Sequence, residues 1–124
     1  MTVLIVEDEA ITAMFLSMSL REMGLQVIAT TASGEKACAL ALDHRPDAII
    51  MDIALAGEMD GITAAQAIRL HLETPIVFAS GYTNDEVKER TRTVPNSVFL
   101  NKPLESASLQ ELFRTLESTG SLSG

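Results

Sequence analysis

The chain has 124 residues, which is enough for one domain with a single hydrophobic core. Its 47% hydrophobic and 4% aromatic residues are typical of a globular α/β protein and exclude a disordered one. A formal net charge of −8 argues against direct binding to nucleic acid, and no apolar run approaches the roughly 20 residues that cross a membrane. With no basic and apolar leader at its start, we expect a cytoplasmic protein whose partners are proteins.

Five short apolar runs predict the strands of a sheet. They are rich in β-branched residues, are bounded by turn residues, and fall at residues 3–6, 26–29, 47–51, 75–79 and 97–100. Segments with helical periodicity lie between them. Continuous apolar strands separated by helices are typical of a parallel sheet covered on both faces. We therefore predict an α/β, flavodoxin-like doubly wound fold whose five-stranded sheet has the order 2-1-3-4-5.

The first and last helices carry apolar stripes that we expect to face the core. The first helix covers roughly residues 10–23, with a stripe formed by Ile11, Met14, Phe15 and Met18. The last covers roughly residues 106–118, with a stripe formed by Leu109, Leu112, Phe113 and Leu116. Residues 1–118 then form one domain, and residues 119–124 are a frayed tail or linker stub.

The segment NDEVKERTRTV, between the fourth and fifth strands, predicts a weakly held helix. Val87 is the only strongly apolar residue across its central turns, and Thr91 and Thr93 are poor helix formers. Thr83 and Glu86 match a capping box at its start. Little packing energy should hold this helix, which suits it to move between conformations.

Polar residues follow the strands at one edge of the predicted sheet. In an open α/β sheet, ligands bind beyond the carboxyl ends of the strands, where the strand order reverses. Glu7 and Asp8 follow the first strand, and Asp52, Ser80 and Lys102 lie at the ends of the third, fourth and fifth. The first and third strands are neighbours in this order, so three carboxylates meet that cannot all stay ionised without a cation. Because Mg²⁺ prefers oxygen ligands, we predict a Mg²⁺ site there.

Each of these residues, taken alone, has an ordinary structural explanation. Asp8 would cap the first helix, and Lys102 would be a solvated charge. Such separate explanations do not account for the whole set, because all of these groups lie at the carboxyl ends of the strands. His44 and His71 lie near helix ends and are expected at the surface, and neither forms a zinc or nucleophile pattern with Cys38, the one cysteine.

The motifs VLIVEDE, IIMDI, FASGY and LNKPL, in this order and spacing, resemble the receiver domain of bacterial two-component response regulators. The resemblance covers nearly all of residues 2–118. It implies a phosphoacceptor regulator in a phosphorelay, one that is not an enzyme but assists its own phosphorylation and dephosphorylation. A sensor histidine kinase or a histidine phosphotransfer protein would be its phosphodonor, and a downstream protein its target. The chain would be a monomer or a phosphorylation-dependent dimer.

The resemblance also implies a role for each acid. Asp52 would accept the phosphoryl group. Asp8 would bind Mg²⁺ directly and Glu7 through water, and Asp52 and the carbonyl of Ala54 would complete the protein's share of the metal shell. Glu7 stands where the family more commonly has Asp, and the loop IALAGEMDG after the third strand is one residue longer than the shortest family form.

The remaining roles belong to the fourth and fifth strands. Lys102 would neutralise the phosphoryl charge, and the Lys102-Pro103 bond would be cis, as in the family. Ser80, in place of the commoner Thr, would follow the phosphoryl group while Phe99 turns inward, changing the face of helix four, strand five and helix five for a partner. FASGY is similar to a Phe-Ala-Thr-Gly-Tyr subclass often found as single-domain regulators. Its Tyr82 is either a gate to the site or a half-exposed loop aromatic.

Three other functions on this fold fit the sequence less well. A haloacid-dehalogenase-like phosphatase needs a second Asp two residues after the nucleophile, where this chain has Ala54. A flavin carrier needs a phosphate cradle after the first strand, and that loop is acidic here. A phosphorylation-independent module would not need the complete set of acids, hydroxyl and lysine.

Overall fold

Five strands alternate with five helices in the computed structural model, which describes residues 1–81 and 84–122. The strands are β1 (Thr2–Val6), β2 (Gln26–Thr31), β3 (Ala48–Asp52), β4 (Ile76–Ser80) and β5 (Ser97–Asn101). The helices are α1 (Ala10–Glu22), α2 (Gly34–His44), α3 (Gly61–Arg69), α4 (Asp85–Thr91) and α5 (Ser106–Thr119). All strand pairs are parallel, in the order β2-β1-β3-β4-β5, which confirms the predicted fold. Within the described residues, no helix is both long and apolar enough to span a bilayer.

Both faces of the three central strands β1, β3 and β4 are buried, which explains why these strands are continuously apolar. Successive side chains of a strand point to opposite faces. Ile49 and Met51 of β3 therefore pack in one core cluster with α2 and α3, while Ile50 packs in the other with α1 and α5. All five residues of β3 and of β4 are buried. The carboxyl ends of these two strands are thus fixed by core packing on both sides.

The prediction for the apolar face of α1 is wrong. The four residues expected in the core are exposed, and we call them the α1 stripe: Ile11 at 83%, Met14 at 62%, Phe15 at 52% and Met18 at 55%. Leu16 and Leu20 face the sheet instead, beside the buried Ser17 and Ser19. Apolar residues occupy two sides of α1, so the helical period alone does not decide which side packs on the sheet. On α5 the predicted face is confirmed, with Leu109, Phe113 and Leu116 buried and Leu112 half-buried.

The short helix α4 is held mainly by polar contacts. Asn84 is its N-cap, and the Asn84 side chain accepts a hydrogen bond from the Val87 N–H at 2.8 Å. The predicted capping box involves Thr83, which lies outside the described residues. Arg90 forms an ion pair with Asp60, the N-cap of α3, at 2.9 Å. The helix packs against β5, and Thr91 is its one buried residue.

The first residue of α3 lies against the end of β3. A Cβ atom at Gly61 would be 2.0 Å from the Asp52 carbonyl oxygen and 2.9 Å from Ile53 Cα, so only glycine fits there. The Gly61 N–H donates to the Ile53 carbonyl oxygen at 2.9 Å. This close approach fixes the backbone at the carboxyl end of β3.

We expect Gly61→Ala to destabilise the protein by about 2 kcal/mol, because the added methyl group overlaps the backbone at the end of β3. Gly81→Ala is the matched control, since a Cβ there meets no atom within 4 Å. Urea unfolding of both variants measures the difference. Equal unfolding midpoints for the two variants would show that the approach at Gly61 is not tight.

Candidate functional site

Three carboxylates meet at the carboxyl ends of β1 and β3. These strands pair with Val6 opposite Met51, so the residues that follow each of them lie side by side. Glu7, Asp8 and Asp52 each offer a carboxylate oxygen, and these oxygens lie within 4.8 Å of one another. Glu7 is 5% exposed and Asp52 is 3% exposed, whereas Asp8 is open to solvent. The structure thus brings together the acids that the sequence places after these two strands.

Lys102 bridges the two buried acids. Its Nζ lies 2.8 Å from Glu7 Oε1 and 3.2 Å from Asp52 Oδ2. Its backbone N–H donates to the Ser80 carbonyl oxygen at 2.9 Å, which ties the end of β5 to the end of β4. The Lys102-Pro103 bond is cis, as predicted. One cation therefore contacts the acids that follow two different strands.

Backbone N–H groups hold both buried carboxylates in place. The Glu9 N–H donates to Glu7 Oε2 at 3.1 Å. The Ala54 N–H donates to Asp52 Oδ1 at 3.3 Å. Asp52 Oδ2 and Glu7 Oε1 are the oxygens that contact Lys102, so each acid is oriented from two sides.

Crowding separates the pKa values of the two buried acids. The pKa of Asp52 is raised from 3.8 to about 7, because burial and then the hydrogen bond and negative charge of Glu7 raise it more than Lys102 lowers it. Burial alone would raise the pKa of Glu7, but hydrogen bonds from Lys102, Asp52 and the Glu9 N–H, with the charge of Lys102, lower it. Without another cation, the crowded pair therefore binds a proton more tightly than two separate carboxylates would.

The other predicted site residues have different surroundings. Ser80 is buried at the end of β4, opposite Asn101 of β5. Phe99 is half-buried and packs against the α2 and α3 side of the core. Ala54 is exposed next to Asp52, and the role of its carbonyl stays a prediction. Tyr82, the proposed gate, lies outside the described residues.

Sequence reasoning missed two residues that shape the site. Asp60 caps α3 by accepting from the Thr63 N–H at 2.8 Å, and its ion pair with Arg90 connects α3 to α4. Burial would raise the pKa of Asp60, but the hydrogen bond from Arg90 and those from Thr63 outweigh it and lower the value. Gly61 follows directly and allows the backbone approach to Asp52 described above. The sequence does contain a signal for Asp60, because Asp is a common N-cap and the pair Asp60-Gly61 stands at the start of a helix.

The donor set at this edge fits Mg²⁺. All three clustered side chains offer carboxylate oxygens, the ligand type that Mg²⁺ prefers, and the exposed Asp8 gives access from solvent. His44 and His71 are exposed, as predicted. Among the residues described, no second cluster of three His, Cys, Asp or Glu side chains has this spacing.

Comparisons with known proteins agree with this geometry. The family model for the response regulator receiver domain matches residues 3–114. The transcriptional regulatory protein PdtaR of Mycobacterium tuberculosis is 36% identical over 107 residues, which cover 86% of this chain and 52% of that protein. The chain thus spans about half the length of this curated relative.

Two solved structures illustrate the likeness of fold. The receiver domain of a modulated diguanylate cyclase from Desulfovibrio desulfuricans has a TM-score of 0.87 and 31% identity, with 96% of this chain and 94% of that one covered. The receiver domain of a sensor histidine kinase from Pseudomonas aeruginosa has a TM-score of 0.84 and 28% identity, with 95% and 98% covered. That second structure contains a magnesium ion coordinated in its active site cleft.

The raised pKa of Asp52 predicts how stability depends on pH without metal. The folded chain binds this proton more tightly than the unfolded chain, so its stabilising effect is lost as pH rises through about 7. We expect the stability advantage of Asp52→Asn over wild type to grow by about 2 kcal/mol between pH 5 and pH 8.5. Urea unfolding in the presence of a chelator measures it.

Between pH 5 and pH 8.5, the titration of the two neighbouring groups, Glu7 and Lys102, does not change the stability. Glu7, whose pKa is lowered, loses its stabilising effect only as pH falls below its ordinary range. Burial lowers the pKa of Lys102, but Glu7 and Asp52 raise it more. Lys102 therefore loses its stabilising effect only above pH 10.5. An advantage of Asp52→Asn that stays constant from pH 5 to 8.5 would contradict the raised pKa of Asp52.

Proposed function

The chain belongs to the response regulator receiver domain family of two-component systems, and from that premise we propose that Asp52 is the residue that accepts a phosphoryl group. The observation that carries the proposal is the contact of Lys102 with both Glu7 and Asp52 at the edge of the sheet. It supports the proposal because the Asp52 carboxylate lies beside a positive charge and within a cluster of carboxylate oxygens. In this proposal the protein is a regulator, and the only reactions that it assists are its own phosphorylation and dephosphorylation.

In the proposed reaction, an Asp52 carboxylate oxygen attacks the phosphorus of a phosphohistidine. The bond from phosphorus to oxygen forms, the bond from phosphorus to the donor imidazole nitrogen breaks, and that nitrogen leaves with the electron pair. Such transfer depends on positioning and on neutralising the negative charge of the phosphoryl oxygens. Lys102 supplies one positive charge, and the N–H of Ala54 holds the far oxygen of Asp52.

Asp8, Glu7 and Asp52 would hold Mg²⁺, with the carbonyl of Ala54 as a further ligand. When bound, the ion would supply the positive charge that keeps these acids ionised and that offsets the charge of the phosphoryl oxygens. Asp52 must be ionised to attack, and its pKa of about 7 leaves a substantial protonated fraction at neutral pH without a metal. The proposal therefore includes a requirement for a divalent cation.

Ser80 and Phe99 would carry the signal away from the site. Ser80 is buried at the end of β4, directly after Ala79, which pairs with Asp52 of β3. Phe99 lies on the neighbouring strand β5, opposite Phe78 of β4, and packs partly on the core. Movement of Ser80 toward the phosphoryl oxygens would let Phe99 turn inward and would change the face of α4, β5 and α5. That face would bind the downstream protein target.

The α1 stripe supports a protein phosphodonor. Its four side chains expose roughly 500 Å², if each offers about 200 Å² when free, which lies in the upper range for the largest apolar patch on a monomer. Ile11 and Phe15 line a groove of about 500 Å³ between α1 and the start of the β5–α5 connection, and Lys102 and Glu7 line the same groove. A donor helix packed there would lie beside Lys102, which contacts Asp52, and would so hold its phosphohistidine near that acid.

We expect a small phosphodonor such as acetyl phosphate to add one phosphoryl group to the chain in the presence of Mg²⁺. Intact-mass spectrometry measures the gain, and peptide mapping places it on Asp52. Asp52→Asn is the control and should gain nothing. A mass gain that persists in Asp52→Asn, or in wild type with excess chelator, would contradict the assignment.

Phe15→Ser should slow phosphoryl transfer from a protein donor by about tenfold or more, because it removes a central apolar contact. The donor is the histidine kinase of the source organism that phosphorylates the wild-type chain fastest. Phosphorylation by acetyl phosphate should stay within about twofold, since Phe15 takes no part in the ion pairs and hydrogen bonds that hold Glu7 and Asp52. Leu70→Ser, at an 81% exposed position at the end of α3, is the matched control and should change neither rate. Equal kinase rates for Phe15→Ser and Leu70→Ser would show that the donor docks elsewhere.

A further inference from the structure

The chain turns back toward the sheet after α5. Gly120, with a φ of 72°, ends the helix and donates its N–H to the Leu116 carbonyl oxygen at 2.7 Å. Thr119 Oγ1 donates to the Ser121 carbonyl oxygen at 2.8 Å and lies 3.2 Å from the Ser121 N–H. These contacts give residues 121–122 a defined direction as they leave the helix.

Asn96, in the turn between α4 and β5, receives these two residues. Its Oδ1 accepts hydrogen bonds from the Leu122 N–H at 2.7 Å and from the Ser121 hydroxyl at 3.1 Å. Its Nδ2 donates to the Glu73 carbonyl oxygen at 2.7 Å. Both ends of one side-chain amide are therefore used, one for the C-terminal segment and one for the connection between α3 and β4.

The backbone of Asn96 is also held firmly. Its carbonyl oxygen accepts from the Ile76 N–H at 3.2 Å and from Arg69 Nη2 at 3.3 Å. Its φ of 55° is a left-handed conformation, which Asn tolerates better than most residues. Asn96 is thus a fixed point to which residues 121–122 attach.

Leu122 forms part of the wall of an open groove between β5 and α5. The groove has a volume of about 540 Å³, and its apolar walls include Val98, Leu100 and Leu112. Leu122 is half-buried against the core cluster on the α5 side of the sheet. β5 is an edge strand, so the groove lies at the margin of the sheet, where a partner has access.

We propose that residues 121–122 act as a latch, in which Asn96 anchors the backbone and Leu122 covers part of the apolar wall of the groove between β5 and α5, so that a protein partner reaches this covered surface only when Leu122 is displaced. A partner that packs on the surface beneath Leu122 must first displace this side chain and break the hydrogen bonds of residues 121–122 to Asn96. Val98 and Leu100 face the groove, and Phe99, between them, faces the opposite side of the sheet. The identity of this face as the output face rests on the proposed function, whereas the docking of the latch does not.

Hydrogen exchange of the full chain, measured by NMR without metal or phosphodonor, tests the latch. In wild type, the Leu122 amide should exchange at least about tenfold more slowly than in an unstructured peptide. Asn96→Gly keeps the left-handed backbone accessible but removes the acceptor, and should abolish this protection. Asn96→Asp retains an acceptor oxygen and should keep it. Core amides of β3, unchanged in both variants, report that the fold is intact.

A second measurement tests whether the latch covers the groove. On a Cys38→Ala background, Val98→Cys places a single thiol in the groove wall. Adding Leu122→Ser, which leaves Asn96 in place, should raise the rate of thiol labelling by about tenfold, because the covering side chain is lost. The proposal would be overturned if the Val98→Cys thiol were labelled at the same rate with and without Leu122→Ser. It would also be overturned if the Leu122 amide of wild type were unprotected. Neither readout requires phosphorylation, so failure of Asp52 to accept a phosphoryl group leaves both results interpretable.

Discussion

The confinement of two buried carboxylates beside one lysine is the constraint on which the rest of the structure depends. Glu7 directly follows β1 and Asp52 is the last residue of the neighbouring strand β3, and core packing on both faces of these strands keeps the two acids side by side. Lys102 reaches both, but one positive charge does not balance two negative ones. The pKa of Asp52 rises in response. The fold thus keeps an unfavourable charge arrangement that a metal ion and a phosphoryl group would relieve.

The parts of the molecule around this site differ in how firmly they are held. Gly61 brings α3 against the backbone of Asp52, which leaves the nucleophile little freedom. By contrast, α4 is short, and its ion pair between Arg90 and Asp60 is partly exposed, so this contact stabilises it weakly. A rigid acceptor beside a loosely held helix suits a protein in which a local modification redistributes conformations at a distance. Ile11 and Phe15 of the α1 stripe lie on another side, in the wall of a groove that Lys102 also lines.

The sequence predicts most of the sheet and the acidic cluster, because the carboxyl ends of parallel strands always lie at one edge. It does not predict which side of α1 packs, since Leu16 and Leu20 compete with the stripe that contains Phe15 and both fit a helical period. The contacts of Asn96 are also beyond sequence reasoning. They join residues more than twenty positions apart through a single side chain. Such contacts depend on the exact path of the chain, which no local pattern specifies.

The titration of the Asp52 carboxyl carbon, followed by ¹³C NMR with and without Mg²⁺, tests the central claim most directly. The account predicts a pKa near 7 in the metal-free protein. It also predicts that Asp52 is ionised from pH 5 to pH 8 when Mg²⁺ is saturating, because the cation removes the repulsion between the acids. A metal-free pKa near 3.8, or a titration that Mg²⁺ does not change, would contradict the claim that crowded charge defines this site.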